Sequence, residues 1–234
     1  MTRDVYVLSD IHANLPALEA VLGSIDPSAR ILCAGDVVDY YADPNEVIAL
    51  LQARGVDCIV GNHDLYALGE LPYNAARESI YRVEWTRRAL TNGNREWLSS
   101  LPVGIDYTVV KGSDGDSGEA IERVLLRHGD LFDPETYIYP DSDFDCSMLG
   151  EKTLAIFGHT HHPMVRRYGT SAILNPGSVG QPRDRNPAAA YAKVDLRTGQ
   201  HMFVRACYDV ASYQARLAGE GVVESMIDIL SRTG

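Results

Sequence analysis

Apolar residues come in short blocks along the first third of this chain, and each block ends at a glycine or an acid. Residues 5–8 run into Ser9-Asp10, residues 31–34 into Gly35-Asp36, and residues 56–60 into Gly61-Asn62. Short apolar blocks bounded by turn residues read as buried strands. Between them the period lengthens. Residues 15–22 carry apolar side chains at helical spacing, with Asn14 suited to the N-cap and Pro16 to the first turn. Residues 44–54 repeat the pattern, with Val47, Ile48 and Leu51 on one face and Gly55 as a stop. Strand alternating with helix predicts βαβ units and a partly parallel sheet.

The middle of the chain changes character. Residues 74–99 are rich in Arg, Glu, Ala and Leu, include Trp85 and Trp97, and predict one or two helices that overhang the strand ends. Residues 105–110 and 121–127 read as a hairpin. Their acidic, glycine-rich link, 112–119, has Glu119 where a calcium loop starting at Asp114 needs glycine, so it reads as a solvated turn. Residues 133–150 are polar and aromatic, balanced between helix and loop. Residues 153–157 form a strand leading into Gly158-His159. Alternating runs near 164–168, 171–174, 189–195 and 202–207 predict an antiparallel second sheet, and 210–232 predicts two helices.

Composition narrows the class. The chain has 234 residues, 45% of them hydrophobic, enough for one domain over 1–234 with one well-buried core. A net charge of -11 argues against coating nucleic acid, which needs a field of Lys and Arg. It leaves room for a small phosphorylated substrate whose charge bound cations offset. The cysteines, Cys33, Cys58, Cys146 and Cys207, form no CxxC pair and read as buried, reduced thiols. The start of the chain lacks a signal-like apolar stretch, and no run approaches the roughly 20 apolar residues of a membrane span. The expectation is a cytoplasmic protein with no membrane contact. A homo-oligomer stays open, because a dimer patch and a lid contact share one apolar signature.

Five motifs carry candidate chemistry: Asp10-Ile11-His12, Gly35-Asp36-Val37-Val38-Asp39, Gly61-Asn62-His63-Asp64, His128-Gly129 and Gly158-His159-Thr160-His161. Carboxylate and amide oxygens mixed with imidazole nitrogens suit divalent first-row metals. Asp10, Asp36, Asn62, His128 and His159 each follow a strand-like run, and in open α/β sheets ligands bind beyond the carboxyl ends of the strands. Of the seven histidines, His12, His63, His128, His159 and His161 belong to motifs, His162 adjoins one, and His201 sits in an ordinary strand.

These motifs, in this order, resemble the calcineurin-like metallophosphoesterases, and within them the small bacterial and archaeal members. Residues 175–180, Asn-Pro-Gly-Ser-Val-Gly, resemble that group as well, and the similarity spans about residues 4–195. The resemblance implies a four-layer α/β/β/α sandwich, two mixed sheets flanked by helices, with a dinuclear metal site at the C-terminal ends of the strands. It implies that Asp10, His12 and His161 hold one ion, that Asn62, His128 and His159 hold the other, and that Asp36 bridges them. Manganese is the first expectation, with Fe, Zn, Ni or Co also compatible with these donors. A hydroxide shared by both ions would attack phosphorus.

His63 is the candidate general acid, since imidazole titrates near neutrality. Asp39 is its implied orienting carboxylate, and Asp64 the runner-up with a structural role favoured. The protein phosphatases of the superfamily place a phosphate-gripping arginine after the Asp39 position. Here Tyr40 and Tyr41 follow, which argues against phosphoprotein substrates. Arg183 could supply a cation from a later loop, or simply pair with Asp184. The expected activity is hydrolysis of phosphodiester bonds in a small or nucleotide substrate. The alternatives are a nucleotide pyrophosphatase or phosphomonoesterase on the same site, and a catalytically silent interaction scaffold like the retromer subunit of this fold.

Overall fold

The computed structural model describes residues 4–109 and 121–234. The acidic link at 112–119 therefore lies outside the described residues. In chain order the elements are β1 (Asp4–Leu8), α1 (Leu15–Gly23), β2 (Arg30–Cys33), α2 (Pro44–Ala53), β3 (Asp57–Cys58) and α3 (Asn62–Leu68). Then come α4 (Glu78–Tyr81), α5 (Val83–Ala89), α6 (Asn92–Ser100), β4 (Ile105–Thr108), β5 (Arg123–Leu126) and β6 (Thr153–Ile156). The chain continues through β7 (Met164–Tyr168), β8 (Ser171–Asn175), β9 (Ala189–Asp195), β10 (His201–Ala206), α7 (Val210–Gly219) and α8 (Glu224–Asp228).

The strands form two mixed five-stranded sheets, ordered β10-β9-β1-β2-β3 and β4-β5-β6-β8-β7. β1, β2 and β3 run parallel, as do β5, β6 and β8. The hairpin expected from residues 105–127 is present as the antiparallel β4–β5 pair. Alternate residues of both sheets meet face to face. Val5, Val7, Leu32, Ala192 and Val194 pack against Val124, Leu126, Leu154, Ile156 and Leu174. The other face of the first sheet, with Leu8, Ile31 and Cys33, is covered by Leu18, Val21, Val47, Ile48, Leu51 and Leu98 of α1, α2 and α6. Each helix brings the apolar stripe that its spacing predicts.

Several expectations need correction. The runs at 189–195 and 202–207 join the first sheet rather than an antiparallel second one: β9 pairs antiparallel with β1, and β10 with β9. β8, expected in the same antiparallel set, runs parallel to β6. Period-two alternation identifies a strand but not its neighbour. Residues 74–99 form a 3-10 turn and three short helices, because Arg82 at φ 59° interrupts the path between α4 and α5. Residues 133–150 are a loop with one 3-10 turn, Cys146–Leu149, and Ile138 and Leu149 cover the outer face of the second sheet beside Phe157 and Ile173. Cys33 and Cys58 are buried free thiols, but Cys146 and Cys207 are exposed free thiols. No helix among the described residues is long and apolar enough to cross a membrane.

Candidate metal centre

Loops at the ends of the parallel strands of both sheets converge. Asp10 leaves β1, Asp36 leaves β2, Asn62 opens α3 just past β3, His128 follows β5 and His159 follows β6. The backbone there is unusual. Asp10, His12, Asp36, Asp39, His159 and His161 all have φ between 51° and 70°. Non-glycine residues rarely adopt this left-handed region, and where they do the surroundings must hold them.

The surroundings are identifiable. The Asp64 carboxylate accepts from the backbone N–H of Gly61 (2.9 Å), Val37 (2.9 Å) and Val38 (3.1 Å), locking the Asp36 loop against the start of α3. Its role is structural, as favoured from the sequence. The His159 N–H donates to Asp10 Oδ1 at 3.0 Å, and the His63 N–H to Asp36 Oδ1 at 2.9 Å. Asn175 Nδ2 holds the Gly158 carbonyl and the Thr160 hydroxyl, and the Ser178 hydroxyl holds the Asp10 carbonyl. Residues 175–180 thus brace the Asp10 and His159 loops. Gly61 and Gly158 pass so close that an added Cβ would strike the Asp36 carboxylate and the Ser9 hydroxyl.

Inside this frame two groups of donors assemble. Asp10, His12, Asp36 and His161 form one buried set, and Asp36, His128 and His159 the other; in each set the ligand atoms all lie within 4.8 Å of one another, close enough to hold a metal ion. Asp36 belongs to both. Asn62 Oδ1 joins the second set, 3.0 Å from His128 Nε2.

Each imidazole has one nitrogen facing a backbone carbonyl: His12 Nδ1 to Val38 (3.1 Å), His128 Nδ1 to Ala34 (2.7 Å), His161 Nδ1 to Gln181 (2.7 Å) and His159 Nε2 to Glu135 (3.1 Å). A carbonyl only accepts, so a ring proton sits on that nitrogen, and in His12, His159 and His161 the other nitrogen turns a lone pair inward. Consequently His12 Nε2 and His161 Nε2 face each other at 3.2 Å with no proton between them. Asp36 Oδ2 is buried without an aligned hydrogen bond, although His128 Nε2 lies 3.2 Å away. Opposed lone pairs and an orphaned carboxylate oxygen are the donor chemistry that a divalent cation satisfies.

Charge follows burial. Burial pushes the Asp10 carboxyl up to about 7. It drives His12 and His161 well below the usual imidazole range, and with the neighbouring His128 it takes His159 down to about 3. These three rings stay neutral, as metal ligation requires. Burial also opposes charge on His128, but the Asp36 carboxylate outweighs it and holds His128 at about 10. Asp36 stays well below the usual carboxylate range because His128, His63 and His12 outweigh its burial.

His63 Nδ1 lies 3.1 Å from Asp39 Oδ2, both side chains buried. Rings of Tyr40, Tyr66 and Tyr81 surround it, with centroids 4.7, 5.3 and 4.7 Å away. Tyr81, beside His63, and Thr86, beside the Asp39 carboxylate, are the parts of 74–99 that reach the site. Arg183 does not pair with Asp184, which binds Arg205. Its Nε and Nη2 donate to Gln181 Oε1, and its charge acts on both Asp10 and His161. The expected residues are thus brought together. Those not foreseen are Tyr81, Glu135, Tyr137 and Gln181. Glu135 and Gln181 act through carbonyls that every residue carries, so no motif marks them.

Comparison with known proteins agrees with this geometry. The calcineurin-like phosphoesterase superfamily domain matches residues 4–199. An uncharacterized protein of Methanocaldococcus jannaschii, MJ0912, is 34% identical over 227 residues, covering 88% of each chain. Phosphodiesterase YfcE of Escherichia coli is 26% identical over 192 residues, 80% of this chain and 84% of that one. The crystal structure of a metallophosphoesterase from Sphaerobacter thermophilus superposes with a TM-score of 0.74 at 29% identity, covering 98% of this chain and 99% of that one. The chain therefore belongs to the calcineurin-like phosphoesterase superfamily and is a phosphoester hydrolase.

Proposed function

We propose that this protein hydrolyses phosphodiester bonds of a small or nucleotide substrate at a centre built for two divalent ions. The observation that carries the reading is the 3.2 Å approach of two lone-pair-bearing nitrogens, His12 Nε2 and His161 Nε2, beside an orphaned Asp36 oxygen. A shared cation removes that repulsion. In this reading Asp10, His12 and His161 hold one ion, and Asn62, His128 and His159 the other. Asp36, which belongs to both donor sets, would serve both ions with its carboxylate. Manganese is the first expectation, since the donors are oxygen and imidazole without thiolate.

When bound, such ions would acidify water and offset the negative charge of the phosphate oxygens. The chain's own residues do the rest. Asp39 fixes the His63 ring through Nδ1, which leaves Nε2 to protonate the departing oxygen. Arg183 adds positive charge on the Asp10 side for the phosphate. Tyr40, with its ring edge-on to His12 at 4.6 Å, walls the site where a protein phosphatase would carry its arginine. The substrate reading is favoured by the likeness to a protein named a phosphodiesterase.

The test is hydrolysis of bis(p-nitrophenyl) phosphate and p-nitrophenyl phosphate, metal by metal, by the unsubstituted protein beside Asp36→Asn and His63→Ala. The unsubstituted protein should prefer the diester, Asp36→Asn should lose at least about 100-fold in kcat, and His63→Ala should lose less, because p-nitrophenolate leaves with little need of a proton. Equal rates in all three proteins would remove the reading.

A further inference from the structure

One loop beside the candidate centre lends no side chain to this chemistry. The loop that gives the Glu135 carbonyl to His159 continues through Tyr137 and Tyr139. The Tyr137 ring lies over the His159 imidazole, centroids 3.9 Å apart. The Tyr139 ring is parallel to Tyr137 within 4°, centroids 5.8 Å apart. Both stay in water: Tyr137 is 46% exposed and Tyr139 37%. A pair of aligned, exposed rings touching a candidate ligand is a binding feature, since a folding core would have buried them.

Arg183 connects this loop to the centre. Its charge acts on Tyr40, Tyr137 and Tyr139 as well as on Asp10. Gln181 Oε1 accepts from its Nη2 at 3.0 Å and holds it there. An anion at the metal centre and a planar ring on the tyrosines would therefore flank one fixed cation.

We propose that Tyr137 and Tyr139 form a stacking platform for the base of a nucleoside phosphodiester, with Arg183 between the platform and the phosphate. The assignment rests on the phosphodiesterase reading above and names which substrates it favours. In a nucleotide, one sugar separates base from phosphorus, and here one ring, Tyr137, separates His159 from Tyr139. Stacking accepts every base, because each has a π-face, so the platform selects nucleosides over alkyl groups without choosing among bases.

Two diesters with the same leaving group test it: thymidine 5′-(p-nitrophenyl) phosphate and methyl p-nitrophenyl phosphate. The unsubstituted protein should favour the nucleoside diester through a lower KM. Tyr139→Leu, which leaves the ring over His159 in place, should reduce the ratio of the two kcat/KM values about tenfold. Tyr139→Phe should keep the ratio. Calorimetry on the ion-loaded protein gives a second readout: adenosine 5′-monophosphate should bind more tightly than ribose 5-phosphate, and Tyr139→Leu should narrow that gap. Equal use of both diesters by the unsubstituted protein overturns the platform alone. An equal loss on both diesters in Tyr139→Leu also overturns it, since that is a structural effect. If no metal supports hydrolysis of either diester, the phosphodiesterase reading falls and takes the platform with it.

Discussion

A histidine becomes a candidate ligand here through what its far nitrogen touches. Carbonyls of Ala34, Val38, Glu135 and Gln181 fix four ring tautomers, and burial keeps His12, His159 and His161 neutral. The proton balance of ion binding follows. His128, held at about 10, and Asp10, raised to about 7, must both deprotonate to serve as ligands. Between pH 7 and 10 the ion displaces one proton, from His128; below pH 7 it displaces a second, from Asp10. Affinity should therefore rise with pH, more steeply below about 7, and calorimetry in buffers of different ionisation enthalpy will count the protons. A pH-independent affinity would contradict the protonation of His128 and Asp10 described. His63 makes a separate prediction. His63→Ala should slow a diester with an alkyl leaving group by about 100-fold or more and a p-nitrophenyl diester far less, because only the alkoxide needs its proton. The ligand types were legible as letters in five motifs. The left-handed φ of Asp10, His12, Asp36, His159 and His161 was not, since the hydrogen bonds that hold it come from residues such as Asp64, tied to Val37 across 27 positions.

At the scale of elements, the strand-end loops fit together with little slack. Gly61 lies against the Asp36 carboxylate and Gly180 against the Ile11 carbonyl, both closer than a Cβ can come. Gly61→Ala should cost about 1–3 kcal/mol, the usual range for overpacking. In a chain of this length that lowers Tm by roughly 2–12 °C. A comparable change at Gly93, where a Cβ meets open space, should leave Tm within about 2 °C. Strands β1, β2, β5 and β6 and helices α1 and α2 could be read from periodicity because each has its own apolar pattern. The partner of β9 could not. Its residues alternate between Ala192 and Val194 toward one layer and Ala189 and Tyr191 toward the other, and that pattern fits the middle of either sheet. The loop over His159 escaped for a different reason: its covering residues, Ile138 and Leu149, are too sparse to show a period.

The whole molecule carries its candidate centre across the seam between two sheets. Asp10, His12, Asp36 and Asn62 come from the first sheet's loops, and His128, His159 and His161 from the second's. Ions bound there should stabilise both sheets together. At an ion concentration 100 times Kd the gain is about 2.7 kcal/mol, so Tm of the chelator-stripped protein should rise by roughly 5–11 °C on adding manganese. A thermal scan that did not move with ion concentration would contradict a site spanning the seam. The position of β9 matters beyond stability. β1 is complete by residue 8, yet its second neighbour is not made until residues 189–195. A ribosome synthesising this chain therefore carries β1 with one bare edge until residue 195 is made, exposed to pairing with foreign strands. The brace on Asp10, from Ser178 and Gly180, arrives equally late. Nascent chains should consequently gain activity toward phosphate esters only once residue 195 has been made.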